Sequence, residues 1–326
     1  MNVVFILGNG FDLNLGLNTS YSDFYNYYKK QVSSNEVIKE LKENIDSNTE
    51  NWSDLELQLG RYTSRLKDQN DFDIFYFDIV DNLRDYLDLE EDSFDYSAFD
   101  KSVLLRDLVE PERVLSQRER NKLTDWYRKF GGNINTNILT FNYTQTIEKI
   151  LGKNATSQPI GTNNKGVQVL LNSIDHIHGY LEDGLVLGVN DEEQIENEKL
   201  RLSQEVVEAI VKPMHNQELG HTRDDRCMQV ISAANLIFVF GCSIGKSDQM
   251  WWEKVGSTLG ESCRLVIFHR GSNVNSQNDI LYARENRKII NRFLSLTNLD
   301  EEKRDIAKQY ITAAVTKDLF KLVKST

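Results

Sequence analysis

Four short runs of apolar and β-branched residues recur at wide intervals along the chain, each followed by Gly, Asn or His: "NVVFIL" at 2–7, "NILTF" at 137–141, "LIFVF" at 236–240 and "RLVIF" at 264–268. A fifth, weaker candidate runs from "VQVLL" to "DHIH", about 167–178. Polar residues do not alternate within these runs, so they read as strands covered on both faces, the habit of parallel sheets. Segments of helical period follow most of them, such as "TQTIEKIL" and "DQMWWEKVGSTL". Strand then helix, repeated, predicts an open α/β sheet of the doubly wound type.

Between residues 20 and 130 the strands vanish, and "SDFYNYYKKQ", "NEVIKELKENI", "DIFYFDIVDNLRDYLDL" and "SQRERNKLTDWYRKF" all read as amphipathic helices. The expectation is one α/β domain over 1–326 with a helical insertion at 20–130, closed by the glycine pair at 131 and 132. A second polar helical stretch covers about 191–226, and the tail, 295–326, is expected to form C-terminal helices. With 38 basic against 50 acidic residues the chain carries a formal charge of −12, which disfavours general attraction to nucleic acid or to anionic membranes. No stretch reaches the roughly 18 apolar residues of a spanning helix, and the first strand lacks the flanks of a signal peptide. The expected location is therefore cytoplasmic. Cys227, Cys242 and Cys263 are odd in number and lack CxxC spacing, which predicts reduced thiols and no zinc site.

In open α/β sheets ligands bind outside the carboxyl ends of the strands, so the residues there carry the chemistry. The first strand end offers Gly8, Asn9, Gly10, Phe11 and Asp12; the second offers Asn142, Tyr143 and Thr144. The histidine strand offers His176, His178 and Gly179, and "LIFVF" is followed by Gly241, Cys242, Ser243, Gly245 and Asp248. Each has a plain structural reading beside the functional one. Gly8-Asn9-Gly10 is an incomplete dinucleotide fingerprint, because Leu13 stands where a third glycine belongs, and a simple turn explains it equally well. Asn142 either caps the helix starting near Thr144 or faces a ligand. His178 is either a satisfied strand end or an acid/base group, and His176-x-His178 as a metal pair lacks a third ligand at a telling spacing. "GCSIGKS" falls one residue short of a phosphate loop, since Gly241 and Gly245 enclose three residues. Ser20-x-x-Asp23 and Ser53-x-x-Glu56 fit capping boxes, while Trp52, Asp54 and Glu56 in "NWSDLE" also form an aromatic and acidic cluster suited to a pocket mouth.

Taken in order, "GNGFDLNLGLNTSYSDF", "NWSDLE", "LTFNYTQTIE", "HIHG" and "FGCSIGKSDQMWW" resemble the AbiH family of bacterial abortive-infection proteins over residues 2 to about 252. The same set is distantly similar to sirtuin-like, or DHS-like, NAD-binding domains with a Rossmann-like, mainly parallel sheet. The usual acid after the turn tyrosine is replaced here by Thr144. The resemblance implies anti-phage defence through binding of NAD as substrate and hydrolysis of its nicotinamide–ribose bond, with no metal. Asn142 and His178 would be catalytic. Gly8, Asn9, Gly10, Phe11, Asp12, Thr144, Gly241, Ser243 and Asp248 would bind the nucleotide, the glycine amides receiving the pyrophosphate. Such cleavage passes through an oxocarbenium-like transition state, which a positioned water, a base and local dipoles favour. Two alternatives stay open. One is a non-catalytic nucleotide sensor whose insertion binds a phage or host protein; the other is a nuclease, which lacks a recognisable carboxylate cluster. A phage-derived trigger protein and a homo-oligomer are compatible with either.

Overall fold

The computed structural model describes residues 1–152, 156–271 and 279–322. Seven strands form one sheet: β1 (Asn2–Leu7), β2 (Ile134–Thr140), β3 (Gln158–Thr162), β4 (Gln168–His176), β5 (Leu236–Phe240), β6 (Arg264–His269) and β7 (Ile311–Val315). Their spatial order is β3-β4-β2-β1-β5-β6-β7. All neighbours are parallel except the edge pair β3 and β4. The fold is α/β, as the strand–helix rhythm predicts.

The register sets the strand ends level, with Leu7 opposite both Thr140 and Phe240 and Thr140 opposite His176. Beside β1 the chain reverses its direction of travel across the sheet: β2 and β4 lie on one side of it, β5 and β6 on the other. A crevice opens at the carboxyl ends where such a reversal occurs. Side chains of β1 point alternately to two apolar layers, which is why the strand has no polar alternation. Val3, Phe5 and Leu7 face one core with Phe238, Trp126 and Phe320; Val4 and Ile6 face the other with Val239, Trp251 and Trp252.

Among the described residues, 8 to 133 contain no strand. Their longest helix, Gln69–Ser93, packs with Trp52, Leu55 and Tyr62 against Leu187 and against Ile195, Val206 and Ile210 of the second helical stretch in a third core. Buried in that core, the Tyr76 hydroxyl donates to the carbonyls of Leu187 and Ala209, both at 2.8 Å.

The tail departs from the expected C-terminal helices at 295–326. After helix Glu301–Lys308 the chain forms β7, in which Ile311, Ala313 and Ala314 are buried against β6. The open edge of β6 supplies pairing that outweighs the helical preference of alanine. Positions 323–326 of that expectation lie outside the described residues. Among the described residues no helix is long and apolar enough to cross a membrane.

Candidate functional site

A cavity of about 620 Å³ lies over the carboxyl ends of β1, β2 and β5. Gly8, Asn9, Gly10, Asp12, Asn142, Thr144, His178, Gly241, Ser243 and Asp248 all line it, and Tyr21, Asp54, Glu56, Leu83 and Leu87 of the insertion form a wall. Its size suits a nucleotide-sized ligand. Phe11 stands apart: it is fully buried, edge-on to Phe320 in the core beneath.

The glycines of the first loop serve a purpose different from the one expected. A Cβ on Gly10 would lie 2.5 Å from the Gly241 Cα, and one on Gly8 would lie 2.8 Å from the Cys242 Cα. The two loops therefore interlock, with Gly241 at φ +73°. The Gly8 and Gly10 amides already donate to the carbonyls of Phe240 and Gly241 at 3.0 and 2.9 Å, and that of Phe11 donates to Gly8 at 2.8 Å. These amides are committed to the protein and are not free to cradle a pyrophosphate. The Asn9 side chain donates to the Thr19 carbonyl at 2.8 Å, tying the loop to the start of the insertion.

Asp12 sits in the short helix Gly10–Leu15 that follows. Its Oδ2 accepts a hydrogen bond from the Thr144 hydroxyl, while Oδ1 is buried and makes no hydrogen bond of good geometry with a described residue. Burial pushes its carboxyl up to about 7, against the opposing pull of Thr144, Thr146 and the nearby Asn142 amide; Glu91 adds to the rise. Asn142 does not cap a helix. The helix Thr146–Leu151 begins after Gln145, and neither side-chain polar atom of buried Asn142 makes a hydrogen bond of good geometry with a described residue. Only its backbone is engaged, the amide with the Thr140 hydroxyl at 3.1 Å and the carbonyl with His176 Nδ1 at 2.8 Å.

The two histidines serve separate networks. His176 Nε2 meets Glu148 at 2.9 Å; burial would lower its pKa, but Glu148 outweighs this and raises it. His178 Nε2 meets Asp248 Oδ1 at 2.7 Å, with Lys212 Nζ 3.3 Å away. That lysine is fully enclosed, donating to Glu56 at 2.7 Å and Asp248 at 2.8 Å, and the Tyr143 hydroxyl donates to the other Glu56 oxygen at 2.9 Å. Burial would lower the Lys212 pKa and raise that of Asp248, yet their mutual attraction wins, lifting the former and holding the latter well below the carboxylate range. Glu56, His178 and Asp248 offer ligand atoms within 4.8 Å of one another. The ammonium already bonds to both carboxylates and supplies their countercharge.

Ser53 does not cap the helix Leu55–Tyr62; Asp54 does, accepting from the Leu57 amide at 3.1 Å. Glu56 is thereby free for the ionic cluster, in keeping with the pocket reading of "NWSDLE". Trp52 is buried behind it and donates to Asn44 at 3.0 Å. Ser20 does cap its helix, accepting from the Asp23 amide at 3.1 Å. Lys212 was not singled out in the sequence. Its signal is a basic residue directly after the apolar "AIV" and before "PM", where a lysine among apolar residues requires a buried partner.

The family described as bacteriophage abortive infection AbiH matches residues 4–269. No curated protein matches the chain. A match over most of its length means that the chain belongs to the AbiH family, and hence among the proteins of bacteriophage abortive infection.

Proposed function

We propose that this AbiH-family protein acts in phage defence by binding NAD, or a related nucleotide, in the cavity of a Rossmann-like sheet and hydrolysing the bond between nicotinamide and ribose. One observation carries the reading: the unpartnered side chain of Asn142, the unpartnered Oδ1 of Asp12 and the His178–Asp248 pair line one cavity at the carboxyl ends of the strands. Buried polar groups left without partners require a ligand, ion or water.

In the cleavage the C1′–N bond breaks, its electron pair returns to the nicotinamide nitrogen, and water adds to C1′ with loss of a proton. Asn142 has one donor group and one acceptor with which to hold water and sugar. His178, oriented by Asp248 through Nε2, is the acid/base candidate, the proton moving at Nδ1. The pyrophosphate would rest on the Gly241–Gly245 loop and Ser243, since the Gly8 and Gly10 amides are engaged.

Incubation of the purified protein with NAD, followed by measurement of nicotinamide, tests this reading. Release that is lost in His178→Ala and Asn142→Ala is expected. Intact NAD under both resting and phage-triggered conditions would sink it. A sensor that binds without hydrolysis is favoured by one observation, the engagement of His178 by both Asp248 and Lys212, and tight NAD binding without nicotinamide release would identify it.

A further inference from the structure

We propose that Arg270 and Arg292 form a seat for a phosphomonoester at the β6 end of the cavity, and that the nucleotide bound there carries a 2′-phosphate on its adenosine ribose, as NADP does. The choice of nucleotide rests on the reading of the cavity given above. The seat itself rests on two positive charges that the protein leaves unmatched.

Four carboxylates line the cavity, those of Asp12, Asp54, Glu56 and Asp248, and they come from the helix after β1, from the insertion and from the segment after β5. None comes from β6, from the residue after it or from helix Asp279–Ser295, which instead present His269, Arg270 and Arg292. His269 is engaged by Asn286 at 2.8 Å, whereas neither arginine pairs with a carboxylate among the described residues. Both arginines are exposed, so they stand where the cavity meets solvent. In a chain of formal charge −12, two uncompensated cations on one wall of a cavity make a local anion site. A phosphomonoester carries about −1.5 to −2 near pH 7, which two guanidiniums match both in charge and in their paired donors. A carboxylate or a phosphodiester brings a single charge, and an adenine ring none.

Arg292 is anchored by its own scaffold. Its Nε donates to the Ile244 carbonyl at 3.1 Å, which leaves the N–H groups of its two terminal nitrogens for a ligand. Ile244 has a left-handed backbone, φ +51°, an unfavourable conformation for a β-branched residue, and the bond ties the helix to the loop after β5 at that point. The order of the strands then sets where along a ligand the seat falls. Asn142 follows β2 and His178 follows β4, the Gly241–Gly245 loop follows β5, and Arg270 follows β6. From β2 across β1 and β5 to β6 is three strand spacings, about 14 Å. A dinucleotide with its nicotinamide ribose at Asn142 and His178 and its pyrophosphate on the Gly241–Gly245 loop therefore brings its adenosine half over β6. An arginine beside the adenosine ribose is a general means by which α/β dinucleotide sites accept a 2′-phosphate.

Calorimetric titration of the full chain with two pairs of probes tests the seat: NADP against NAD, and adenosine 2′,5′-bisphosphate against AMP. The 2′-phosphorylated member of each pair is expected to bind on the order of 10- to 100-fold more tightly, as for hydrogen bonds between charged groups. In Arg270→Gln and in Arg292→Gln that preference should shrink toward unity. Equal affinity within both pairs, or binding of neither pair, overturns the seat, and this wild-type comparison does not depend on how a variant folds. Full preference retained by both folded variants also overturns it. Equal affinity together with nicotinamide release would remove the seat and leave the hydrolytic reading standing, whereas preference without release would remove the hydrolytic reading and leave the seat.

Discussion

Replacing Asp12 by Asn should stabilise the protein at neutral pH and leave it unchanged in acid. The native carboxyl titrates at about 7 against an ordinary value of 3.8. Between those limits the folded protein retains a proton that the unfolded chain has lost, so stability falls as pH rises through the window and levels off above it. Three pKa units at 1.36 kcal/mol each give a cost of about 4 kcal/mol near pH 8, an order-of-magnitude figure for one buried group. Asparagine carries no charge, and its amide oxygen can still accept from Thr144. The ionisable groups around Asp12, namely Glu91, His176 and Tyr96, remain in both proteins, so much of their own pH dependence cancels in the difference. Urea unfolding of both proteins between pH 4 and 8 measures the effect. The stability difference in favour of the variant should grow by about 4 kcal/mol across the range. A flat difference, or growth toward acid, would refute the assignment of a strained, near-neutral carboxyl at this position.

Lys212→Met should destabilise the protein by about 3–5 kcal/mol in chemical denaturation, because Glu56 and Asp248 are left buried without their countercharge. Adding Glu56→Gln and Asp248→Asn should restore most of that loss; no recovery would mean that packing, not charge, is the cause. Gly10→Ala drives a Cβ to 2.5 Å from the Gly241 backbone and should lower the unfolding temperature through a cost of about 1–3 kcal/mol or more. An unchanged temperature would mean that the loop interlock yields easily. Asn142→Ala breaks no good side-chain hydrogen bond and should cost about 1 kcal/mol or less in stability. On the proposed hydrolytic reading NAD turnover should fall by about 10²- to 10⁴-fold, and a large stability loss with normal turnover per folded molecule would reassign Asn142 to structure.

Legibility in the sequence followed how local each cause is. Runs 2–7 and 236–240 coincide with β1 and β5 because an unbroken apolar run ending at glycine needs both faces covered whatever surrounds it. Strand β2 begins at Ile134, three residues earlier than its apolar run, since Asn135 pairs with Asn2 of β1 and the polarity of its side chain does not prevent that. Strand β3 contains Gln158, Pro159 and Gly161 and has only β4 beside it, so pairing alone defines it and no periodicity announces it. In the cavity, strand-end residues such as Asn142, His178 and Ser243 are found by the topological rule alone. Lys212 is not, and although "NWSDLE" marks Glu56 for a pocket mouth, its partner is hidden because their contact joins residues 156 apart in the chain. The glycines of "GNG" were legible as a close approach, but what approaches is the Gly241 loop, and two strands distant in sequence must be adjacent before that can be read.

The insertion is a structural part of the cavity. The ionic cluster draws Glu56 from the insertion, Tyr143 from the turn after β2, His178 from the end of β4, Lys212 from the second helical stretch and Asp248 from the segment after β5. Each carboxylate is tolerable in burial only because Lys212 lies between them, and Lys212 only because both are present. Docking of residues 20–130 therefore completes a charge balance that the sheet cannot complete alone, and lifting them away would also uncover Leu187, Ile195, Val206 and Ile210. On the sensor reading, a phage or host protein that engaged the insertion would have two routes: to bind the outer surface, where Phe77 is 52% exposed, and leave the cluster intact, or to displace the inner face and separate Glu56 from Lys212. The second route would alter the surroundings of Asp248 and His178 directly, because Glu56 and Asp248 share the Lys212 ammonium.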